Sequence, residues 1–522
     1  MTITTIARRV AGTTVVLAAL VATSSALAAP GVAPMPAFPG AVASIGASVD
    51  IGKPSASIGL LTTKPDIAVA GTDFTVSGSN LPANKDVALT WSTANVDWLL
   101  DARPDSVDYL GRKATNYNVQ LGVAHTDATG AFSLTVKAPQ DWGGMHDIYA
   151  VVDGQQVAKG GFLVARHATI SPKRGPIGTP ITITYTGLGS KLYEGSASMT
   201  YDNKFVGQIT ANWTRGAAVA HIRASGPVGR HVIVLTDAFT FSYMNIPQSP
   251  NPWATGSKLY FTVTKDAGRP KPAIDWPVNA TPTMWSYTTM LPIAQPKSAA
   301  AATGALSVTT GDILTKVDVT ASGLTPNAPV DLEWASVVGN RVNCTGVCWT
   351  TLNVPLGTAT ATADGSLKAN ITVPDGLGGW HGVQVIQDGQ IKAQLPFFVK
   401  RSFASAQPIS DLTLRPGQHF TIHLKGLGWT QLDNTIAVDY DNSYIGYACG
   451  FNSQGDTLIN LTATGEPGTH LIDMYPLLYT QQPSYPNTPY GMIPMLSYKT
   501  DMPGLALGYE LPAMRLAITI VK

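Results

Sequence analysis

Four histidines occur at one recurring position in the chain. His146, His231, His381 and His470 each stand two residues after a glycine, and each opens a run of alternating apolar residues. Histidine can bind metals or act as a general base, but a metal site needs several ligands that converge on one point. Because the four runs predict strands in four different domains, we expect these side chains to lie far apart. We interpret them as packing or hydrogen-bonding residues and predict no metal site and no cofactor.

Two other groups of polar residues have types that could support chemistry. His419 and His423 are four residues apart in a predicted strand, where that spacing gives one shared face but not adjacent positions. Asp101, Asp105 and Asp108 would either bind Ca²⁺ through their carboxylates or form a solvated acidic loop. The sequence contains no H-E-x-x-H, G-x-S-x-G, Walker A or EF-hand motif. We predict no catalytic residue, and a hydrolase with a site built from distant loops stays an alternative.

The chain has three cysteines, Cys344, Cys348 and Cys449. Redox pairs usually have the spacing C-x-x-C and structural zinc sites need four ligands, so neither fits this set. Disulfides persist in oxidising compartments, and the amino terminus indicates export to such a compartment. We therefore predict a structural disulfide between Cys344 and Cys348 that closes a short loop. Cys449 has no obvious partner.

The amino terminus has the three-part pattern of a secretory signal peptide. Arg8 and Arg9 precede an apolar stretch over residues 10–21, and small residues end at Ala28. We predict a signal peptide over 1–28 and a flexible leader over 29–44, with general secretion as the default and the twin-arginine route as an alternative. No later window has the ~20 apolar residues of a membrane span. The expected location is secreted, periplasmic or on the cell surface.

The bulk composition indicates an all-β protein. Only 13% of the 522 residues are charged and the net charge is +1, which argues against nucleic acid as a partner because such binding needs clustered Lys and Arg. Gly (50) and Pro (37) are abundant, and with frequent Val, Thr, Ile and Tyr this favours strands and turns over helices. The length allows several domains of ordinary size.

The two halves of the chain repeat each other. Short motifs recur in the same order in both halves, so we infer that one ancestral unit was duplicated. The matched residues are Trp91 and Trp334, His146 and His381, Gly187 and Gly426, Tyr201 and Tyr440, and His231 and His470. Each half divides again, because strand, turn and Gly-x-His occur twice within it.

This recurring pattern of an alternating strand, a turn and Gly-x-His resembles bacterial immunoglobulin-like and early-set (IPT/TIG-like) β-sandwich domains. The resemblance implies four Ig-like β-sandwich domains, arranged as a tandem duplication of a two-domain unit, in an extracellular context. The predicted domains cover 45–165, 166–268, 304–400 and 401–522. Residues 269–303 are rich in Pro and Ala and predict a linker between the halves.

Long insertions interrupt the predicted sandwiches, and several carry aromatic residues. Tyr and Trp provide large contacts at low entropic cost, so these loops resemble recognition surfaces. The candidate partner-binding residues are Tyr243, Trp253, Tyr479, Tyr485, Tyr490 and Tyr498. Further insertions cover residues 92–121 and 335–356. The other interpretation left open is that all these loops only cover sheet edges or domain interfaces.

The sequence therefore favours an exported, non-catalytic binding protein that presents aromatic loops on Ig-like modules to a protein or glycan at the cell envelope. A self-associating envelope or surface-layer protein is the structural alternative. Neither interpretation involves nucleic acid or a membrane span.

Overall fold

The protein is all-β, as predicted. The computed structural model describes residues 58–102, 107–190, 195–211, 214–237, 242, 244, 256–277, 302–340, 342, 348–404, 412–430, 433–481, 489–501 and 511–522. These residues form 35 strands and no helix. Among them no helix is therefore long and apolar enough to cross a membrane.

The first segment consists of β1 to β8. Its sheet has the order β5-β4-β7-β8-β1-β3-β6, with β2 beside β8, and β1 joins the two layers because it pairs with both β8 and β3. Trp91, Phe74 and Phe162 are buried between the layers. The strands are Gly59–Lys64, Ile67–Ala68, Asp73–Gly78, Asp86–Ala102, Val107–His125, Phe132–Lys137, Gly144–Val152 and Gln155–Val164.

The second segment consists of β9 to β16. One sheet has the order β10-β16-β15-β12-β13 and the other β14-β11-β9. The strands are His167–Ser171, Arg174–Gly175, Pro180–Thr186, Ser196–Tyr201, Lys204–Thr210, Ala218–Arg223, Gly229–Asp237 and Ser257–Val263. β11 shows why a sandwich forms, since Ile181, Ile183 and Tyr185 alternate with more exposed residues and so line one buried face.

The third segment consists of β18 to β25, after the short strand β17 (Ala273–Asp275). Its sheets have the orders β18-β20-β23 and β19-β25-β24-β21-β22. The order β22-β21-β24-β25 repeats β5-β4-β7-β8 of the first segment, in agreement with the inferred duplication. The strands are Thr303–Leu306, Thr310–Gly311, Lys316–Ser322, Pro329–Gly339, Trp349–Thr360, Leu367–Thr372, Gly379–Gln387 and Gln390–Val399.

The fourth segment consists of β26 to β35. Its larger sheet has the order β17-β35-β32-β29-β30, and β27 also pairs with β35. A second sheet has the order β26-β28-β31, and β33 and β34 form a separate two-stranded hairpin. The strands are Ser402–Phe403, Thr413–Leu414, His419–Lys425, Thr435–Tyr440, Ser443–Cys449, Thr457–Thr462, Gly468–Tyr475, Leu477–Gln481, Pro489–Pro494 and Ala513–Ile520. The number of domains and their boundaries stay predictions.

The predicted linker needs one correction. β17 lies inside residues 269–303, yet it pairs antiparallel with β35 from Ala273 opposite Arg515 to Asp275 opposite Ala513. These three residues therefore extend the last sheet and do not act as a spacer. The Pro and Ala content around β17 obscured it, because a strand of three residues is too short to show alternation.

Candidate functional site

The four Gly-x-His histidines form one repeated structural corner. The Nε2 atom of each ring lies 2.8–2.9 Å from the carbonyl oxygen of the residue four positions earlier, which ties the start of the strand to the preceding turn. Each ring also contacts an aromatic residue of a neighbouring strand. The pairs are Trp91 with His146, Tyr201 with His231, Trp334 with His381 and Tyr440 with His470. The contacts are those of a packing residue.

The second ring nitrogen distinguishes the corners. In His470, Nδ1 lies 2.5 Å from the Asp441 carboxylate, and this hydrogen bond raises the pKa of the ring. In His381, Nδ1 lies 3.4 Å from the nearest carbonyl oxygen, and burial lowers the pKa to about 4. His470 therefore favours the charged form and His381 the neutral one. Among the described residues, no three His, Cys, Asp or Glu side chains are grouped so that they could hold a metal ion.

The same close backbone contact joins the first segment to the second and the third to the fourth. The amide of Gly143 donates to Leu188 O at 2.8 Å, and the equivalent amide of Gly378 donates to Leu427 O at 2.9 Å. A Cβ atom at Gly143 or Gly378 would lie 1.6 or 1.8 Å from a carbonyl oxygen of the facing strand end. Only glycine fits at these two positions, so the duplicated unit includes its own junction.

A narrow crevice with no room for a water molecule lies at the junction of the third and fourth segments. Arg401 and Asp433 line it, and Trp276 contributes one wall. Arg401 is buried and donates from Nη2 to the carbonyl oxygens of Asp433 (2.7 Å) and Thr435 (3.2 Å), while burial lowers its pKa to about 10. These contacts hold the loop before β29, so we assign the arginine a structural role.

A buried ionic network joins the second and fourth segments. Arg223 at the end of β14 reaches across to two strands of the fourth segment: its Nε donates to Asp473 Oδ1 of β32 at 2.8 Å, and its Nη2 donates to Leu516 O of β35 at 2.7 Å. Arg515 of β35 lies 3.3 Å from the same carboxylate oxygen. All three charged side chains are at most 7% exposed. Removing one partner from such a network leaves a buried charge, so the network fixes how the segments meet.

Tyr498 belongs to this junction, and its prediction as a partner-binding residue is wrong. Its side chain is 0% exposed. Its hydroxyl donates to Asp275 Oδ2 at 2.5 Å and accepts from Arg515 Nη2 at 3.2 Å. A phenol at a buried junction needs such partners, and a tyrosine in a Pro-rich insertion gives no sequence signal that distinguishes this from exposure.

The fourth segment also completes the second sandwich. Leu496 lies between two strand edges: its amide donates to Gln208 O of β13 at 2.8 Å, and its carbonyl accepts from the His221 amide of β14 at 3.1 Å. The following residues add Ser497 and Asp501, both of which hydrogen bond to Thr210. The second core accordingly continues into side chains of the fourth segment such as Tyr475. This part of the long insertion covers sheet edges, as the second sequence interpretation predicted.

The insertion over residues 92–121 forms a long hairpin. β4 pairs with β7 only from Ala88 to Trp91, so residues 92–102 and 107–118, here called the β4–β5 arm, extend beyond the sandwich. Arg215 of the second segment holds the base of the arm, since it donates to Asp141 at 2.8 Å, to Asn95 at 3.2 Å and to the Tyr117 hydroxyl. Cα atoms of β33 come within 8 Å of β5, so two insertions meet beside the arm.

Of the remaining aromatic residues that the sequence suggested for partner binding, two lie in the described structure and three do not. Tyr479 lies in β33 and Tyr490 in β34, so both belong to the hairpin beside the arm. Tyr243, Trp253 and Tyr485 lie outside the described residues. The same is true of Cys344, whereas Cys348 is disulfide-bonded and Cys449 is an exposed thiol.

No protein family model matches the chain, and no curated protein matches it. Among solved structures it is similar to E. coli alpha-2-macroglobulin (7% identity, TM-score 0.16, covering 87% of this chain and 30% of that one). It is also similar to the ICAM-5 D1-D4 ectodomain fragment, with 10% identity and a TM-score of 0.18, covering 84% of this chain and 99% of that one. A third match is a putative membrane anchored protein from Corynebacterium diphtheriae, with 14% identity and a TM-score of 0.16, covering 65% of this chain and 90% of that one. The all-β fold follows from the sheets of the chain itself, and the chain spans 30% of the length of the alpha-2-macroglobulin.

Sequence reasoning missed the ionic junction. Asp473 and Arg515 each lie between apolar residues of a buried strand, in the runs Leu471–Tyr475 and Ala513–Ile518, where a charged residue interrupts the apolar run. That interruption was the available signal, because a charge among core residues needs a buried partner. The sequence does not show the partner, since Arg223 lies about 250 residues earlier.

Proposed function

We propose that the chain is an exported, non-catalytic binding protein of the cell surface, in which Ig-like domains held in fixed positions present one composite surface to a protein or glycan partner. The surface, here called the arm–hairpin surface, consists of the β4–β5 arm and the hairpin β33–β34. The observation that supports it most is the approach of two insertions from distant parts of the chain, since β33 of the insertion over residues 475–514 lies close to β5.

Two further features support this proposal. Arg215 makes side-chain hydrogen bonds to Thr93, Asn95 and Tyr117 at the base of the arm and so restrains a two-stranded hairpin that would otherwise be only marginally stable. The Arg223–Asp473 network restrains the fourth segment, from which the hairpin projects. A binding surface built on restrained elements loses less entropy when a partner binds.

The test is a pull-down from native envelope extract with the mature protein and a Tyr479→Ala/Tyr490→Ala variant. The matched control is Tyr260→Ala, because Tyr260 is 42% exposed but lies on β16 of the second segment, outside the arm and the hairpin. We expect the double variant to lose partners that the wild type and the control retain. Equal recovery by all three proteins would contradict the proposal.

Self-association is a second candidate function, and one observation favours it. Ile445 and Tyr447, 50% and 47% exposed, lie on the same face of the edge strand β30. Adjacent apolar side chains on an edge strand can pair with another copy. Light scattering tests this candidate: a wild-type oligomer that Ile445→Lys converts to a monomer would support it, and a monomer at all concentrations would contradict it.

A further inference from the structure

The linker strand β17 closes part of one edge of the fourth sandwich. It pairs with the start of β35 over the three residues Ala273–Asp275. Ile274, in the middle of the strand, packs against the core of the fourth segment. Trp276 follows the strand and lines the crevice at which the third and fourth segments meet. The start of the linker is thus built into the second two-domain unit.

The corresponding edge of the second sandwich has no such strand among the residues that the structure describes. β16 corresponds to β35, since the first residue of β15 lies opposite Val263 and the first residue of β32 opposite Ile520. Residues 256–258 therefore correspond to residues 513–515, and the only described strand that pairs with this stretch is β15. β9 lies near β16, but its equivalent β26 does not keep β17 from β35.

The sequence before the first segment repeats the start of the linker. Residues 34–39 read Pro-Met-Pro-Ala-Phe-Pro, and residues 270–277 read Pro-Lys-Pro-Ala-Ile-Asp-Trp-Pro. Both are Pro-x-Pro-Ala followed by an aromatic residue and a proline, and the linker copy has two additional residues. Pro36 and Pro272 are 236 positions apart, close to the 235 positions that separate His146 and His381. The duplicated unit therefore begins before the sandwich, with this motif.

The motif before the first segment can reach the edge of β16 in the same molecule. The backbone contact within each unit is repeated at Gly143 and Gly378, so β1 and β16 are arranged as β18 and β35 are. Twenty residues, 39–58, lie between Phe38 and the start of β1. A segment of that length spans up to about 70 Å, whereas a domain of 100 residues has a radius of gyration of about 13 Å.

We propose that residues 34–39 bind as an edge strand to the start of β16 in the same molecule, as β17 binds to β35. Ala37 then lies opposite Lys258, in the way that Ala273 lies opposite Arg515. The chain already uses strands of two residues at this side of both sheets, β10 on β16 and β27 on β35. The segment expected to be a flexible leader thereby becomes part of the second sandwich and closes an edge that another copy could otherwise pair with.

The test is a disulfide cross-link in the mature full chain. Opposite residues of an antiparallel pair have Cβ atoms about 4.5–5.5 Å apart, close to the separation in a disulfide. The test variant is Ala37→Cys/Lys258→Cys in a Cys449→Ser background, which removes the exposed native thiol. The matched control replaces Lys258→Cys by Lys204→Cys, because Lys204 is an exposed lysine on β13 at the opposite edge of the same sheet. After mild oxidation we expect peptide mass spectrometry to find a disulfide within one chain for the first pair and none for the control.

Hydrogen exchange tests the same contact without added cysteines. Deletion of residues 34–39 should speed exchange of the amides in the peptide that covers residues 256–260 about tenfold, the effect of losing one hydrogen bond. Deletion of residues 44–49, an equally long stretch outside the motif, is the control and should leave this exchange unchanged. Equal cross-linking of the two cysteine pairs, no cross-link in either, or unchanged exchange in β16 would overturn the proposal. A disulfide between two chains would also overturn it, because the segment would then bind a second copy.

Discussion

The junction of the second and fourth segments allows a sharp test of buried charge. Asp439 and Asp473 face each other on the neighbouring strands β29 and β32, and both side chains are at most 1% exposed. Asp473 lies between Arg223 and Arg515. Burial, together with the nearby Asp473 carboxylate, raises the pKa of Asp439 well above its usual value, which favours the neutral form of Asp439. The two residues should therefore respond differently to the same substitution.

Asp473→Asn removes the carboxylate that lies between two arginines, whereas Asp439→Asn keeps a neutral side chain of similar shape, the form that the raised pKa of Asp439 favours. Removing one partner of a buried ion pair costs about 3–5 kcal/mol. Arg515 keeps Asp275 at 3.6 Å, but Arg223 loses the carboxylate to which it donates, so we expect the lower end, about 3 kcal/mol. For Asp439→Asn we expect no more than about 1 kcal/mol.

Hydrogen exchange measured by mass spectrometry suits a protein with several cores, because unfolding of such a protein is not a single transition. Peptides that cover β14 and β32 should exchange faster in Asp473→Asn by a factor that corresponds to about 3 kcal/mol, roughly a hundredfold or more. Peptides from β3 and β6 of the first segment are the internal control. Equal acceleration in both variants, or none in either, would refute the assignment of charge.

Three further predictions follow from the corners, the segment junctions and the cysteines. In an NMR titration the pKa of His470 should lie above 6.5 and the pKa of His381 near 4. The stability that His470 contributes is therefore lost as pH rises through its folded pKa, whereas the stability that neutral His381 contributes is lost as pH falls below 6.5. The reverse order of the two pKa values would contradict this prediction. Gly378→Ala should destabilise the chain by several kcal/mol, because the added Cβ would lie 1.8 Å from a carbonyl oxygen. Gly376→Ala is the control, since its Cβ would meet nothing within 4 Å, and it should change the unfolding free energy by less than about 0.5 kcal/mol. Similar denaturation midpoints for the two variants would contradict the close contact at Gly378. Iodoacetamide should modify the exposed Cys449 in the native, non-reduced protein and leave Cys348 unmodified, as judged by peptide mass spectrometry.

Local patterns were sufficient to predict the fold class. Alternation in runs such as Ile181–Tyr185 and the recurrence of Gly-x-His identified sandwich strands and their duplication, because both depend on residues close in sequence. The same reasoning assigned the histidines to packing. Their exact role, a bond from Nε2 to the carbonyl four residues earlier, follows from the same local spacing.

The candidate site was much less predictable. Tyr498 and Tyr479 look alike in the sequence, since both are tyrosines in one Pro-rich insertion, but one is buried against Asp275 and the other lies in the hairpin beside the arm. The difference depends on residues more than 200 positions away. Pairings over such distances are set by tertiary packing and leave no local periodicity.

The insertion of Leu496 between β13 and β14 has a consequence for the order of events during synthesis. Thr210 and its partner Ser497 are 287 residues apart in the chain. At a translation rate of about 5–20 residues per second, that interval lasts on the order of 15–60 s. For this time the second sandwich lacks the backbone that closes its edges, and the nascent chain exposes β13 and β14 to any other strand. Completion of the early sandwich thus waits for the last part of the chain to be made.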